Sequence, residues 1–80
     1  MDQEQMTDEK IKEYVAAEIE KAIKDKDEEL GAYSAAIATL RIMHGKTDLN
    51  TCNIIIESGK QGLNNRQLMI YNNLIPEFHH

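Results

Sequence analysis

Apolar residues recur at helical spacing through the first half of the chain. From Ala16 onward they follow a seven-residue repeat, with Lys26 as the exception. The repeat comprises Ala16, Ile23, Leu30, Ile37 and His44 at one position and Ile19, Tyr33 and Leu40 three residues later. This pattern is typical of a helix that packs along one apolar stripe. Its phase continues through Gly31, so it predicts a single helix from about residue 8 to about residue 44, although a glycine costs a helix about 1 kcal/mol.

A second helix is predicted after a short turn. Gly45 is suited to the left-handed conformation that ends many helices, and Thr47 or Asp48 can cap the next helix. The apolar positions that follow are Leu49, Cys52, Ile56, Gly59, Leu63 and Ile70. Their spacing predicts a helix from about residue 48 to about residue 73, ended by Pro76. The predicted fold class is therefore all-α, a long helical hairpin in one domain (1–80) with flexible tails at 1–6 and 76–80.

The C-terminal half also admits a β-hairpin. Residues 53–57 include a β-branched run, and residues 67–72 can form a partner strand across a glycine-containing turn. The alternation of apolar and polar residues is poor, because Ile54, Ile55 and Ile56 would point to both faces of a sheet. The helical interpretation is therefore favoured.

The predicted hairpin leaves part of its longer helix uncovered. The two helices would be about 55 Å and about 39 Å long, so the N-terminal end of the first would extend beyond the second. That end carries Ile11, Val15 and Ile19, and an exposed apolar stripe of this kind usually marks an interface. A chain of 80 residues with one cysteine cannot be stabilised by an internal disulfide. We therefore expect a homodimer that packs through these three residues.

Charge is distributed unevenly along the chain. Residues 1–30 hold eleven acids and five lysines, whereas residues 31–80 hold three acids and four bases, and the net charge is −5. The acidic run Asp25, Asp27, Glu28 and Glu29 is a candidate binding site for a basic partner. The alternative is a solvated helix surface, which the i,i+4 pair of Asp8 and Lys12 also suggests.

Candidate catalytic groups are better explained by structure. Cys52 lies on the predicted apolar stripe, where a thiol packs as a small apolar side chain. His44 falls in the last turn of the first predicted helix, where a cation is favoured. The Gly45-Lys46-Thr47 sequence resembles the end of a phosphate-binding loop, but Leu40 stands where that loop needs its first glycine. The sequence predicts no enzymatic activity and no cofactor.

No metal site or small-molecule substrate is predicted either. His79 and His80, which are either native residues or the remainder of a purification tag, do not make a metal site by themselves.

Nucleic-acid binding is the main alternative function. A break at residues 58–62 would divide the second helix into two short helices, as in a helix-turn-helix unit. The second short helix would open with side chains that are able to read base edges, namely Asn64, Asn65, Arg66 and Gln67. Because this half of the chain carries only four basic residues against three acids, the sequence makes nucleic-acid binding the less favoured interpretation.

The C-terminal part also carries a family resemblance. The stretch 49–56, with its consecutive isoleucines, continues through Lys60, Leu68 and Tyr71 to the closing Ile75-Pro76-Glu77-Phe78. It resembles the ending of small helical proteins encoded by phages and prophages. The resemblance implies a small viral accessory or regulatory protein that acts inside a bacterium.

The predicted function combines these points. We expect a non-enzymatic accessory or regulatory protein that binds a host or phage protein, with a DNA-binding regulator or a structural component of a phage particle as alternatives. A cytoplasmic location is expected, since the sequence contains neither an apolar run of about 20 residues nor a basic, then apolar, N-terminal signal.

Overall fold

A computed structural model describes residues 7–46 and 48–75. These residues form four helices and no strand: α1 (Asp8–Ile23), α2 (Glu28–Met43), α3 (Leu49–Gly59) and α4 (Asn65–Leu74). The prediction of an all-α fold is confirmed. The alternative β-hairpin is wrong, because residues 53–57 lie within α3 and residues 67–72 within α4.

The predicted helix over residues 8–44 is interrupted at residues 24–27. All four of these residues are exposed lysines or aspartates, and Asp25 adopts a left-handed conformation with φ of 60°. Asp27 then starts α2, since its side chain accepts a hydrogen bond of 2.8 Å from the backbone N–H of Leu30. The prediction of one continuous helix is therefore wrong, because local capping outweighs the persistence of the seven-residue repeat.

The predicted helix over residues 48–73 is also divided. α3 ends at Gly59, and Gly62 takes a left-handed conformation with φ of 84° in the turn that follows. Asn64 and Gln67 then form a reciprocal capping box at the start of α4. The described residues therefore form four shorter helices and not the predicted two-helix hairpin.

α2 is the central helix of this arrangement. It contacts α1, α3 and α4, and α1 also contacts α3. Its inward face is built from small residues, Gly31, Ala32, Ala35, Ala36 and Ala38, all of them buried. Small side chains allow the neighbouring helices to approach closely. Apart from Met43 at the end of α2, the larger core side chains come from the other helices, as with Val15 of α1, Ile55 of α3 and Tyr71 of α4.

The three residues predicted to form a homodimer interface lie in this core. Ile11, Val15 and Ile19 are buried within the chain, and Val15 is 0% exposed. α1 and α2 have 16 residues each, so the predicted overhang does not exist. The premise that this stripe is uncovered is therefore wrong, because its three side chains are buried against the rest of the chain.

Two further observations concern the limits of the chain. The predicted tails, residues 1–6 and 76–80, lie outside the described residues, as do His79 and His80. Within the described part, no helix combines the length and the apolar character needed to cross a membrane.

Candidate functional site

The surface of α2 that points away from the core is apolar. Leu30, Tyr33, Ile37 and Leu40 are 55%, 44%, 58% and 39% exposed, respectively. Their spacing of three, four and three residues places them in one stripe along the helix. We call these four residues the outer face of α2.

The outer face reverses the usual arrangement of an amphipathic helix. A helix on the surface of a globular protein normally turns its large apolar residues inward and its polar residues outward. In α2 the inward positions are mostly glycine and alanine, while the outward positions carry leucine, tyrosine and isoleucine. The four large side chains are therefore not required by the packing of the described residues.

The seven-residue repeat identified these positions but assigned them to the wrong side. Leu30, Ile37 and His44 belong to one position of that repeat, and Tyr33 and Leu40 to the other. The repeat predicts a stripe along which the helix packs, whereas the packing of the described residues leaves these side chains exposed. The second signal in the sequence was the row of small residues at 31, 32, 35, 36 and 38, which marks a close helix contact.

Polar contacts fix α4 beside the start of α2. The Asn64 side-chain amide donates to Glu28 at 2.9 Å, and the Arg66 guanidinium pairs with Glu29 at 2.5 Å. Further along both helices, the hydroxyls of Thr39 and Tyr71 lie 2.9 Å apart. The two helices therefore start at the same end of the molecule and run in the same direction. Met69 is exposed on the side of α4 that faces away from Tyr71.

The two ends of α2 differ in charge. The predicted acidic site, Asp25, Asp27, Glu28 and Glu29, is exposed at the N-terminal end, and its last three members also serve the fold. Asp27 caps α2, Glu28 accepts from Asn64, and Glu29 pairs with Arg66. Binding of a basic partner by this cluster stays a prediction. The opposite end of the helix carries three basic residues.

A cleft of about 550 Å³ lies at the C-terminal end of α2. Arg41, His44 and Lys46 line it together with Tyr14, and all four of these residues are exposed. Other lining residues are the apolar Ile11, Ile42 and Ile55. The cleft therefore adds a basic border to one end of the outer face.

The residues proposed to read bases lie together at the start of α4, but the side chains of Asn64, Arg66 and Gln67 are already hydrogen-bonded within the protein. The break at residues 58–62 exists, and α4 opens at Asn65 as the helix-turn-helix alternative requires. However, Asn64 and Arg66 contact the carboxylates of Glu28 and Glu29, and the Gln67 amide donates to the Glu28 carbonyl at 3.2 Å. Phosphate groups next to these carboxylates would be repelled. The position of α4 thus disfavours contact with a nucleic acid, whose binding stays untested.

A polar cluster inside the protein has a structural role. The Tyr71 hydroxyl donates to the Ile56 carbonyl at 3.0 Å and lies beside Thr39, whose own hydroxyl donates to the Ala35 carbonyl at 2.8 Å. Burial raises the pKa of Tyr71, although the hydrogen-bonding contact between the Tyr71 and Thr39 hydroxyls partly offsets this effect. This tyrosine stays protonated and donates its hydroxyl hydrogen to a backbone carbonyl. It therefore links helices and is not suited to proton transfer.

Other candidate chemical groups are also explained by packing. Cys52 is buried, and its thiol lies 3.6 Å from the Lys46 carbonyl oxygen. Among the described residues, no group of three or more histidine, cysteine, aspartate or glutamate side chains is placed to hold a metal ion. The outer face of α2 is a stripe of four exposed apolar side chains that the packing of the described residues does not explain.

Comparisons with protein-family models, curated proteins and solved structures gave no match to this chain. The functional interpretation therefore depends on the geometry of the chain itself.

Proposed function

We propose that this protein has no catalytic role and acts by binding another protein through the outer face of α2. The observation that carries the proposal is the stripe of four large apolar side chains, each of them between 39% and 58% exposed. Contiguous exposed apolar surface is uncommon on soluble monomers and usually marks an interaction site.

The chemistry of the stripe suits a protein partner. Leucine and isoleucine contribute apolar area, and Tyr33 adds an aromatic ring with a polar group, a residue type that is enriched at interaction hot spots. The side chains project from a regular helix of 16 residues, so little backbone entropy is lost on binding. Anchors spaced by three and four residues fit a groove or a second helix.

The biological setting of the proposal comes from the sequence resemblance to small phage and prophage proteins. It suggests an accessory or regulatory protein that meets a host or phage protein in the bacterial cytoplasm. Protein binding is favoured over DNA binding, since Asn64 and Arg66 are engaged with the acidic end of α2.

The proposal can be tested by comparing three tagged baits in bacterial lysate, each with and without nuclease. The baits are the wild-type protein, Ile37→Glu at the centre of the outer face, and Met69→Glu as the matched control. Met69 is 67% exposed and belongs to α4, not to the outer face of α2, so it controls for the general effect of a new surface charge. Circular dichroism should show equal helicity for all three.

We expect a discrete protein, either from the lysate or an untagged copy of the chain added to it, to be captured by the wild-type and Met69→Glu baits, to be lost from the Ile37→Glu bait, and to survive nuclease. Equal capture by all three baits would contradict the assignment of the outer face. Partners that disappear with nuclease would instead favour the DNA-binding alternative and direct mutagenesis to Asn64–Gln67.

A further inference from the structure

The outer face has the spacing of a self-complementary surface. Along α2, the stripe continues from the four residues of the outer face to His44, with intervals of three, four, three and four residues. Ile37 lies in the middle of this sequence and is the most exposed of the four apolar residues. If a second α2 lies across the first in the opposite direction, Ile37 meets Ile37, Tyr33 lies near Leu40, and Leu30 lies near His44. Large side chains then fill the contact along its whole length.

We propose that the partner at this face is a second copy of the chain, bound antiparallel about a two-fold axis that passes near Ile37. The inference rests on the proposed function, because it names the partner of the same surface. A two-fold dimer is the commonest form of homo-oligomer, and it requires a patch that can face itself.

Charge selects the antiparallel direction. The N-terminal end of α2 carries four acids, Asp25, Asp27, Glu28 and Glu29, against Lys24 and Lys26, and Arg66 pairs with Glu29. The C-terminal end, residues 41–46, carries no acid and has Arg41, His44 and Lys46. An antiparallel pair brings the acidic end of each copy to the basic end of the other, whereas a parallel pair would place like charges together. The dipoles of the two helices also favour the antiparallel arrangement. In this dimer, the basic border of the cleft on one copy is the basic partner of the acidic cluster on the other copy.

The composition of the core supplies a reason for the dimer. The inward face of α2 consists largely of alanine, and alanine buries less apolar area than leucine or isoleucine. Small chains are stabilised only marginally by their own cores. Covering the outer face of α2 in a second copy removes four large apolar side chains per protomer from water.

The first experiment measures mass. Sedimentation equilibrium or light scattering between about 1 and several hundred μM should give the wild-type protein twice the 9.1 kDa of one chain at the upper end of that range. Ile37→Glu should remove the dimer, with a dissociation constant at least about 30-fold higher, as expected for a central interface residue. Met69→Glu should retain the wild-type mass. A dimer that Ile37→Glu leaves intact would overturn the assignment of this face.

The second experiment tests the direction of pairing by cysteine cross-linking. The variants Ile37→Cys, Leu30→Cys and Met69→Cys are made in a Cys52→Ala background, which removes the chain's single native cysteine. In the antiparallel dimer the two copies of residue 37 meet, but the two copies of residue 30 are about 20 Å apart, because they are separated by roughly 14 residues of helix rise. A disulfide requires Cα atoms within about 7 Å.

Mild oxidation should therefore cross-link only the Ile37→Cys variant. Cross-linking of Leu30→Cys as efficiently as Ile37→Cys would overturn the antiparallel direction and indicate a parallel pair. Efficient cross-linking of Met69→Cys would indicate random collision and would also contradict the proposal.

The combined outcomes separate this inference from the function on which it rests. A wild-type protein that is monomeric at every concentration, together with Ile37-dependent capture of another protein, would overturn the second copy as partner and leave the proposed function standing. A monomer whose captured partners do not depend on Ile37 would overturn both.

Discussion

The Tyr71 hydroxyl lies directly against the Cα of Gly59, where no side chain larger than hydrogen fits. A Cβ atom on Gly59 would overlap the Tyr71 oxygen and would also lie 2.7 Å from the Thr39 hydroxyl oxygen. The same tyrosine oxygen contacts the Ile56 carbonyl and the Thr39 hydroxyl. Helices α2, α3 and α4 therefore meet at one hydroxyl, and a glycine makes room for it.

The first prediction concerns this glycine. Gly59→Ala should lower the free energy of unfolding by about 1–3 kcal/mol, because the new methyl group displaces Tyr71, and overpacking of this kind exceeds the gain of about 1 kcal/mol in helix propensity. Urea denaturation followed by circular dichroism measures the difference.

Gly31→Ala is the matched control for this substitution. Gly31 is also a buried helical glycine, but a Cβ there meets the Gln67 amide nitrogen at 3.1 Å, the far end of a long side chain that has to shift by only a few tenths of an ångström. We expect this variant to change the free energy of unfolding by less than about 1 kcal/mol. Equal losses in the two variants would show that the contact with Tyr71 does not determine the effect.

The second prediction concerns stability in alkaline solution. Burial raises the pKa of Tyr71 above its ordinary value of 10.0 in the folded protein. Near and above pH 10 the unfolded chain therefore releases this proton more readily than the folded chain does. The contribution of Tyr71 is fully present below pH 10 and is lost as the pH rises toward the folded pKa. Tyr71→Phe should abolish that part of the alkaline loss.

Thermal unfolding at several pH values between 8 and 11 tests this prediction. The same measurement at neutral pH should show a loss of stability in the variant. Tyr71→Phe removes the hydroxyl that donates to the Ile56 carbonyl in the last turn of α3. The Lys60 N–H does not replace this donor, because it bonds to the Glu57 carbonyl. A loss of about 1–2 kcal/mol is expected at pH 7. A variant whose alkaline loss parallels that of the wild type would contradict the assignment to Tyr71.

Helical character was predictable from the sequence because its signals lie within short stretches of the chain. The apolar spacing and the caps at Thr7 and Asp48 specify helices without reference to the tertiary fold. The breaks also have local signals, namely the cap of α2 at Asp27 and the capping box of Asn64 with Gln67, but the seven-residue repeat continues through the first break and predicts one helix there.

The side of α2 that faces the core could not be predicted from the repeat. A stripe of large apolar residues and a stripe of small ones both satisfy helical spacing, and only the packing of α1, α3 and α4 decides between them. The candidate site followed from this choice. The structure places Ile11, Val15 and Ile19 in the core, and its exposed apolar stripe consists of Leu30, Tyr33, Ile37 and Leu40.

The third prediction separates the core from the interface. Val15→Ala should lower the free energy of unfolding by about 2 kcal/mol, since Val15 is completely buried, and it should leave the oligomeric mass unchanged. Ile37→Ala should weaken self-association but change the stability of the dilute monomer by less than about 0.5 kcal/mol, because Ile37 is exposed. Urea titrations at low concentration and light scattering at high concentration measure the two properties. The opposite result, in which Val15→Ala dissociates a dimer without loss of stability, would return the interface to α1.

The fourth prediction concerns stability in acid. The Asp48 carboxylate caps α3 by accepting hydrogen bonds from the Thr51 hydroxyl at 2.6 Å and from the Thr51 backbone N–H at 2.7 Å. The Thr51 hydroxyl is the larger of the two causes that hold the pKa of Asp48 below its ordinary value of 3.8. A carboxyl group with a lowered pKa stabilises the fold above its unfolded value, and that contribution is lost as the pH falls through the folded value. The stability supplied by Asp48 should therefore decline below about pH 4.

Asp48→Asn tests this prediction, since asparagine is a good N-cap that does not titrate. Between pH 5 and pH 2.5, the variant should lose less stability than the wild type in urea denaturation measured at each pH. Thr51→Val should also reduce the pH dependence, but only in part, because the backbone N–H of residue 51 remains a donor to the carboxylate. If Asp48→Asn and the wild type lose stability in parallel, the acid sensitivity belongs to other carboxylates, and the cap at Asp48 is insensitive to its charge.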